Sequence, residues 1–412
     1  MDRRTLLKTG GLGILGLGAG ACATGSGPNG ASARTPVRLP PVEASWERVI
    51  RTTVGLRPHR SSGFLVKTEK LDEKTLVHNY GHGGAGMSLS WGTADLAVEL
   101  ALEQEFRRAA VIGSGVAGLT TARQLQQRGF DVTIYAMDVP PNTTSNMSWA
   151  SFTPTSGLVD VGRRTPEWDA QFRSAVITAY KRLQLLAGRD YGVSWVDSYS
   201  MMNEMPSAGN QQGASRLLPP EARSGRVILQ PGEHPFPSRY ASSRASLRIE
   251  PSIYLDALMR DFALFGGHVV IRKFDSPRDM ATLEEPLIVN CTGLGSKALF
   301  DDQELMAIKG QLTVLVPQPG VNYSTLGGLP GAGGGNLHMM ARRDGIVLGG
   351  TNERGEWSLE PNEEERRRVV DNHIRLFDAM RASAIGGWSP PTRTSFVPAE
   401  VPPVETFFGL ES

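Results

Sequence analysis

The chain has 412 residues and a formal net charge of +1, with 43 basic and 42 acidic side chains. This balance gives no strong field toward nucleic acid or an anionic membrane, and the length suits one large two-part enzyme or two domains. Two cysteines are too few for a disulfide framework, and Cys291 follows the apolar run PLIVN, which indicates a buried small residue.

The N-terminal segment has the pattern of an export signal. Arg3 and Arg4 precede a weakly apolar, glycine-rich run from Gly10 to Ala21, which is too short to span a bilayer. The segment resembles a twin-arginine signal, so we expect the twin-arginine translocase as a partner during export and a periplasmic or extracellular location. An ordinary flexible basic tail is the alternative.

The next residues predict a processing site and a linker. Cys22 ends the small-residue stretch AGAC, which fits either a lipid anchor on this cysteine or signal-peptidase cleavage without lipid. Residues 23–40 are rich in Ala, Gly, Ser and Pro and predict a disordered linker. We therefore expect the folded body to begin near Val42.

The body opens with two short strands and a glycine-rich loop. Residues 46–58 alternate as a strand that runs into a loop at Gly55 and Pro58, and TLVHNY is a second strand. The loop NYGHGGAGMSLSWG (Asn79–Gly92) follows. From Thr93 to Gln104, apolar pairs four residues apart predict a helix.

The segment Val111–Ala136 carries a dinucleotide-binding fingerprint. It contains a strand, a GxGxxG turn, a helix from about Val116 to Arg128 and a second strand. Gly113 permits the tight turn, Gly115 lets backbone approach a pyrophosphate, and Gly118 allows close helix–strand packing. The helix N-terminus then faces the phosphates with its positive end. The predicted phosphate-binding turn comprises Gly113, Ser114, Gly115, Val116, Ala117 and Gly118.

The fingerprint lacks one expected residue. The acidic side chain that normally binds the ribose hydroxyls at the end of the second strand is replaced by Ala136. Asp138, two residues later, either takes that role or is a solvated loop aspartate.

The remaining pattern predicts a two-lobed α/β fold. We expect helices at 165–186, at 251–264 and over EEERRRVVDNHIRLFDAMRA, with strands at HVVIRKF and LIVNCTG. GQLTVLV and GIVLGGT predict an antiparallel sheet in the second lobe. Residues 188–243 show little periodicity, and we expect the proline-rich tail from Trp388 to wrap the surface.

The segment YAMDVPPNTTSNMSWASFTP resembles the D-amino-acid oxidase family, where a Tyr-Ala strand end leads into a Pro-x-Thr-Thr-Thr run and the strand-end acidic residue is also missing. RKFDS and IVNCTG match the family stretch over the adenine half. The resemblance implies FAD as cofactor, in a Rossmann-like domain joined to an antiparallel-sheet substrate domain. The implied FAD contacts are Thr143, Thr144 and Ser145 at the diphosphate; Ala150, Ser151 and Phe152 at the flavin edge; and Phe274, Thr292 and Gly293.

Two family motifs are displaced. Loops similar to GLRPHR and HNYGHGGAGMSLSWG lie near the C-terminus of ordinary members, but here they occupy residues 55–92, before the fingerprint. This order predicts a circular permutation, with Glu105–Arg108 joining the old C-terminal helix to the old first strand. The alternative is a partial gene fusion with a duplicated segment. The implied segments are 41–108 (permuted), 109–165 and 245–300 (FAD-binding), 166–244 and 301–385 (substrate and cap), and 386–412 (tail).

The displaced loops carry the implied active-site residues. Arg57 in GLRP matches the family arginine that binds the substrate carboxylate, and a surface ion pair is the alternative role. The glycine loop would pack backbone against the isoalloxazine ring and donate amides to its pyrimidine end. We expect His82 to be structural. The implied flavin-loop residues are Gly83, Gly84, Gly86, Met87 and Ser88.

The substrate pocket departs from the family. His338 falls where ordinary members place an inner tyrosine, and the outer tyrosine position lies in the glycine run PGAGGGN. Ala85 replaces the tyrosine of the usual glycine loop. Arg342 and Arg343 either favour an acidic substrate side chain or are exposed hairpin arginines.

The resemblance implies FAD-dependent oxidation of an amino acid, which we expect to have the D configuration. In this reaction hydride passes from Cα to flavin N5, and dioxygen reoxidises the flavin. Arg57, Gly84 and His338 are the catalytic candidates. One alternative is a dehydrogenase of the same fold that uses a quinone or protein acceptor. Another is a secreted flavin-binding protein without turnover. No metal-ligand cluster and no Ser/His/Asp arrangement is evident in the sequence.

Overall fold

The computed structural model describes residues 34–205, 217–329 and 337–384. The leader, the glycine run at 330–336 and the tail from Trp388 lie outside these ranges. The strands are β1 (Val49–Arg60), β2 (Leu65–Leu71), β3 (Lys74–Tyr80), β4 (Arg108–Ile112), β5 (Asp131–Ala136), β6 (Val193–Met202), β7 (Val227–Leu229), β8 (Tyr240–Ile249), β9 (His268–Ile271), β10 (Leu287–Asn290), β11 (Leu305–Leu315), β12 (Tyr323–Leu326), β13 (His338–Arg342), β14 (Gly345–Gly349) and β15 (Glu353–Arg354). The helices are α1 (Gly86–Leu102), α2 (Val116–Gln127), α3 (Pro166–Leu185), α4 (Pro251–Leu264), α5 (Pro277–Ala281), α6 (Ser296–Leu299) and α7 (Glu363–Ala384).

A six-stranded sheet carries the dinucleotide fingerprint. Its strand order is β2-β3-β10-β4-β5-β9, and every neighbouring pair is parallel except β2 with β3. Because β3, β10, β4 and β5 run in one direction, the residues that follow them emerge at the same edge of the sheet. Ligands of parallel α/β sheets bind at this carboxyl edge.

A nine-stranded sheet forms the second lobe. Its order is β1-β11-β14-β13-β12-β6-β8-β7, and β15 pairs with β11. The predicted antiparallel pairing of GQLTVLV with GIVLGGT is confirmed, with Thr313 opposite Leu348. The expected mixed α/β fold of a Rossmann-like part and an antiparallel sheet is therefore confirmed.

Two predicted boundaries were wrong, each for a physical reason. Strand β1 continues through Gly55 and Pro58, because β1 lies at the edge of its sheet, where a residue without an N–H is tolerated. Helix α1 begins at Gly86 and not at Thr93. Residues 87–94 are all buried, so the first turns of this helix show no amphipathic period from which its start could be predicted.

The helices beside the fingerprint pack closely through small residues. At Gly92 of α1, an added β-carbon would overlap the backbone of Ala175 in α3. Next to it, the buried Trp91 indole N–H donates a 2.6 Å hydrogen bond to the Tyr254 hydroxyl of α4. Helix α1 is thereby fixed against two neighbours just after the glycine loop. Within the described residues, no helix is long and apolar enough to cross a membrane.

Replacing Gly92 by Ala tests this packing. Overpacking of a well-packed core costs about 1–3 kcal/mol, which outweighs the gain of up to about 1 kcal/mol from the better helix propensity of Ala. We expect Gly92→Ala to lower the free energy of unfolding in urea. Gly162→Ala is the control, because no atom lies within 4 Å of a β-carbon added there. An unchanged midpoint for Gly92→Ala would contradict the close packing of α1 on α3.

Candidate active site

Both sheets contribute residues to one cleft of about 620 Å³. The carboxyl edge of the six-stranded sheet supplies the fingerprint turn and the residues after β10 and β5. The nine-stranded sheet supplies Arg57 of β1, Gly310 and Leu312 of β11, and His338 of β13. The cleft therefore joins the predicted nucleotide site to the predicted substrate residues.

The fingerprint turn is shaped for close backbone approach. Gly113 has φ +111°, and an added β-carbon would lie 2.6 Å from the carbonyl oxygen of Cys291. At Gly118 an added β-carbon would overlap the carbonyl oxygen of Gly113. Helix α2 therefore starts directly against β4, and its N-terminal amides face the cleft, as a diphosphate site requires. One of these amides, that of Val116, donates to the Ser145 hydroxyl at 2.9 Å.

The turn after β10 lies next to the fingerprint turn, because Cys291 and Thr292 approach Gly113. Its backbone is fixed by Asn290, whose side-chain oxygen accepts from the Thr292 amide at 3.1 Å and from the Thr292 hydroxyl at 2.8 Å. Nearby, the Arg272 guanidinium lies 4.7 Å above the Phe274 ring. These residues provide polar groups and a flat apolar face to a nucleotide. The turn after β10, the fingerprint turn and the cleft together have the shape and the polar groups that FAD binding requires.

The glycine loop packs against a second loop, residues 153–160. The Gly84 amide donates to the Ser156 carbonyl at 3.0 Å, and at Gly83 an added β-carbon would lie 2.8 Å from the carbonyl carbon of Gly157. The ring of His82 is buried and bonds the Thr93 hydroxyl at 2.8 Å. Burial lowers the pKa of His82 to about 4, so the ring is neutral near pH 7. The hydrogen bond to Thr93, a residue away from the cleft, gives His82 a structural partner.

Arg57 is a half-buried cation that has no carboxylate partner among the residues that the structure describes. Its guanidinium lies flat over Gly310, where an added β-carbon would be 2.6 Å from Cζ. Its one hydrogen bond within the described chain is a long one, 3.5 Å, from Nη1 to the carbonyl oxygen of Thr351. Burial lowers the pKa of Arg57 below its usual value, although an arginine stays charged. A charge in this position is stabilised by an anionic ligand in the cleft.

His338 lies on the same sheet surface as Arg57. Leu312 is opposite Gly349, and Gly349 is opposite His338. A β-carbon added at Gly349 would lie 2.8 Å from Cδ2 of His338, so this ring also lies over a glycine. The Trp149 ring contacts it, with centroids 4.3 Å apart. Together Leu312, Trp149 and His338 form an apolar and aromatic wall beside the arginine.

The hairpin arginines are engaged by the protein itself. Arg342 is buried, pairs with Asp344 at 2.6 Å and donates to the Ser148 carbonyl at 3.0 Å. Arg343 pairs with Glu250 at 3.4 Å. Both guanidinium groups therefore have carboxylate partners, and the interpretation of Arg342 as an exposed arginine was wrong.

Most of the sequence-predicted residues line the cleft. The structure does not bring three of them to it: Gly118 packs on Gly113, Phe152 packs on Tyr180 with ring centroids 5.1 Å apart, and the Ser88 hydroxyl bonds the Thr153 amide at 2.8 Å. The predicted residues that line it are Arg57, Gly83, Gly84, Gly86, Met87, Gly113, Ser114, Gly115, Val116, Ala117, Asp138, Thr143, Thr144, Ser145, Ala150, Ser151, Phe274, Thr292, Gly293 and His338.

Several further residues that the sequence did not predict also line the cleft. Gly310, Leu312, Trp149 and Ser156 reach the cleft through strand register or loop packing. No local motif marks them. Trp149 follows the NTTSNMS run, and an aromatic residue beside a cofactor segment is the weak signal that was available.

Gly113→Ala tests the fingerprint turn. The substitution needs a positive φ and meets the Cys291 carbonyl, so we expect it to weaken FAD binding by at least about tenfold, which corresponds to about 1.4 kcal/mol. The measurement is the flavin absorbance of purified protein per mole of chain. Gly266→Ala is the matched control, because Gly266 also has a positive φ, +80°, but no atom lies within 4 Å of an added β-carbon. Stoichiometric flavin in Gly113→Ala would contradict this account of the turn.

Comparison with known proteins agrees with this site. The sequence model of the FAD dependent oxidoreductase (DAO) family matches residues 108–408. A D-amino-acid oxidase of Rubrobacter xylanophilus is 28% identical over 282 residues, which cover 68% of this chain and 79% of that protein. The D-aspartate oxidase of Homo sapiens is 25% identical, with 67% and 77% covered.

Among solved structures, an L-proline dehydrogenase from P. horikoshii has a TM-score of 0.51 and 14% identity, over 68% of this chain and 79% of that one. This likeness concerns the fold alone. The family match spans most of the chain, and the cleft fits its cofactor. The chain belongs to the DAO family of FAD-dependent oxidoreductases, with FAD as its cofactor.

Proposed function

We propose that the enzyme catalyses the oxidative deamination of a D-amino acid, with dioxygen as electron acceptor and with hydrogen peroxide, a keto acid and ammonia as products. The observation that carries the proposal is Arg57, a half-buried cation that faces the FAD cleft without a carboxylate partner in the described chain. The names of the relatives, D-amino-acid oxidase and D-aspartate oxidase, support the substrate class.

The guanidinium of Arg57 is suited to bind a carboxylate ligand through two hydrogen bonds. A planar guanidinium presents two parallel N–H groups, which match the two oxygens of a carboxylate. Gly310 leaves the flat face of the group against the sheet, so its edge is the part available to a ligand. An α-carboxylate held there would be fixed in both position and orientation.

FAD, when bound, supplies the acceptor for the hydride that leaves the substrate Cα. The residues of this chain contribute alignment and exclusion of water. Arg57 holds the carboxylate, while Leu312 and Trp149 cover the substrate side with apolar surface. His338 is placed to contact the rest of the substrate. Because the amine reacts in its neutral form, alignment does most of the work and no dedicated side-chain base is required.

We propose that the unusual chain order arose by circular permutation. The family match begins at residue 108, which is the first residue of β4, and about a fifth of the Rubrobacter xylanophilus oxidase lies outside the aligned region. The segment that precedes residue 108 supplies β3 to the six-stranded sheet and Arg57 to the cleft. Only residues 103–107 connect α1 to β4. A segment moved to the front of the chain would have these properties.

We also propose that the protein is exported by the twin-arginine translocase to the periplasm or the extracellular space. Arg3, Arg4 and the short run from Gly10 to Ala21 support this proposal. Cys22 is then the site of either lipid attachment or processing without lipid. The twin-arginine route carries folded proteins, which suits an enzyme that binds its cofactor before export.

Two substitutions test the role of Arg57. We expect Arg57→Ala to raise the KM for the best D-amino acid by about 100-fold, because a charge-assisted bidentate contact is lost. Gly310→Ala keeps the arginine but displaces its guanidinium, so we expect the same direction of change. Arg367→Ala, on the exposed face of α7, is the control. Unchanged KM in Arg57→Ala, with normal FAD content, would exclude the carboxylate assignment.

The electron acceptor is tested by product stoichiometry. With a panel of D- and L-amino acids in air, we expect about one hydrogen peroxide per keto acid formed and a clear preference for D-substrates. Turnover that requires a quinone or an artificial dye, without peroxide, would instead identify a dehydrogenase. Flavin that no amino acid bleaches under anaerobic conditions would contradict catalysis of this kind altogether.

A further inference from the structure

A chain of hydrogen bonds runs from the surface to the turn after β10. Glu69 of β2 contacts Nε2 of His78 at 3.1 Å, and Nδ1 of His78 contacts Nδ2 of Asn290 at 3.0 Å. Asn290 in turn binds the amide and the hydroxyl of Thr292, and it also contacts the Ser296 hydroxyl at 2.9 Å. His78 and Asn290 are both buried. This series of hydrogen bonds therefore ends at Thr292, which lines the FAD cleft.

The direction of every bond in this chain follows from one backbone amide. The Thr292 N–H can only donate, so the atom of Asn290 that it contacts is the oxygen, and Nδ2 faces His78 and Ser296. Since Nδ2 can only donate, Nδ1 of His78 must be the unprotonated acceptor. The proton of the neutral ring is then on Nε2 and is donated to Glu69.

We propose that His78 and Asn290 are positioning residues for FAD: neutral His78 fixes the amide orientation of Asn290, which holds the Thr292 turn in its cofactor-binding conformation. A proton added to Nδ1 of His78 would place this N–H donor against the Nδ2 donor of Asn290. Asn290 would have to turn its oxygen toward His78, and the amide and the hydroxyl of Thr292 would lose their shared acceptor on Asn290. FAD binding therefore weakens when His78 is protonated. Cofactor binding through these residues is independent of which substrate the enzyme oxidises.

The surroundings of His78 set the pH range. Burial lowers the pKa of His78, and the facing carboxylate of Glu69 opposes this effect in part. Lys67 on β2 lowers the pKa slightly further, and Asp302 raises it. A histidine whose pKa is lowered in the folded state favours the neutral form. The contribution of neutral His78 to FAD binding is therefore complete at about pH 6.5 and above, and it is lost only as the pH falls through the pKa of His78 in the folded protein, which lies below that value.

The test is a titration of apoprotein with FAD between pH 7.5 and 5.0, followed by flavin fluorescence. We expect the Kd of the wild-type protein to rise by about fivefold or more toward pH 5, within the limit of tenfold per pH unit for one linked proton. His78→Asn offers a similarly placed acceptor that cannot be protonated, so its Kd should lose this rise. His268→Asn is the matched control, because His268 is exposed on β9, and it should keep the wild-type dependence.

Asn290→Asp provides a second, independent variant. Its carboxylate keeps an acceptor for Thr292 and pairs with protonated His78, so the weakening toward low pH should disappear or reverse. This variant keeps the test decisive if His78→Asn does not fold. Circular dichroism at each pH checks that the apoprotein remains folded. A wild-type Kd that is constant over this range, or an equal rise in His78→Asn and Asn290→Asp, would overturn the proposal.

Discussion

The contact of the Arg57 guanidinium with the backbone of Gly310 is the constraint around which the site is arranged. The register of β1 on β11 brings the arginine to this position, with Arg57 opposite Ile308 and Gly55 opposite Gly310. Any side chain at 310 would displace the guanidinium. A half-buried cation is costly unless an anion compensates it, and within the described ranges the protein supplies no such carboxylate. We therefore expect an anionic ligand to bind in the cleft beside Arg57.

Close contacts at glycine backbone also occur in the part of the protein that forms the cofactor site. Gly118 on the Gly113 carbonyl, Gly92 on Ala175 and Gly83 on Gly157 each bring two backbone segments together without an intervening side chain. These contacts fix α2 and α1 against their neighbours, and the fingerprint turn and the glycine loop both line the cleft. The abundance of glycine in the chain thus has a specific structural use at these positions.

The sequence was sufficient to predict the two-lobed fold, the fingerprint, and Arg57 with the glycine loop as parts of one site. Each of these is encoded in consecutive residues, so a motif or a period can show it. Gly310, Trp149 and the role of Asn290 could not be predicted in this way, because strand register and packing between distant segments create them. The start of α1 was missed because the first turns of this helix are buried on all sides and show no amphipathic pattern. Strands β1 and β3 belong to the two sheets that form the cleft although they precede the fingerprint in the chain, so the site is assembled by strand pairing and not by sequence order.

The central claim, that Arg57 is the carboxylate anchor of the site, is tested most directly by a crystal structure of the FAD-bound enzyme with a simple non-oxidisable carboxylate. We expect two carboxylate oxygens at about 2.7–2.9 Å from two nitrogens of the Arg57 guanidinium, with the rest of the ligand facing Trp149 and His338. Arg57 paired with a carboxylate of the chain itself, or a ligand bound away from this arginine, would contradict this claim.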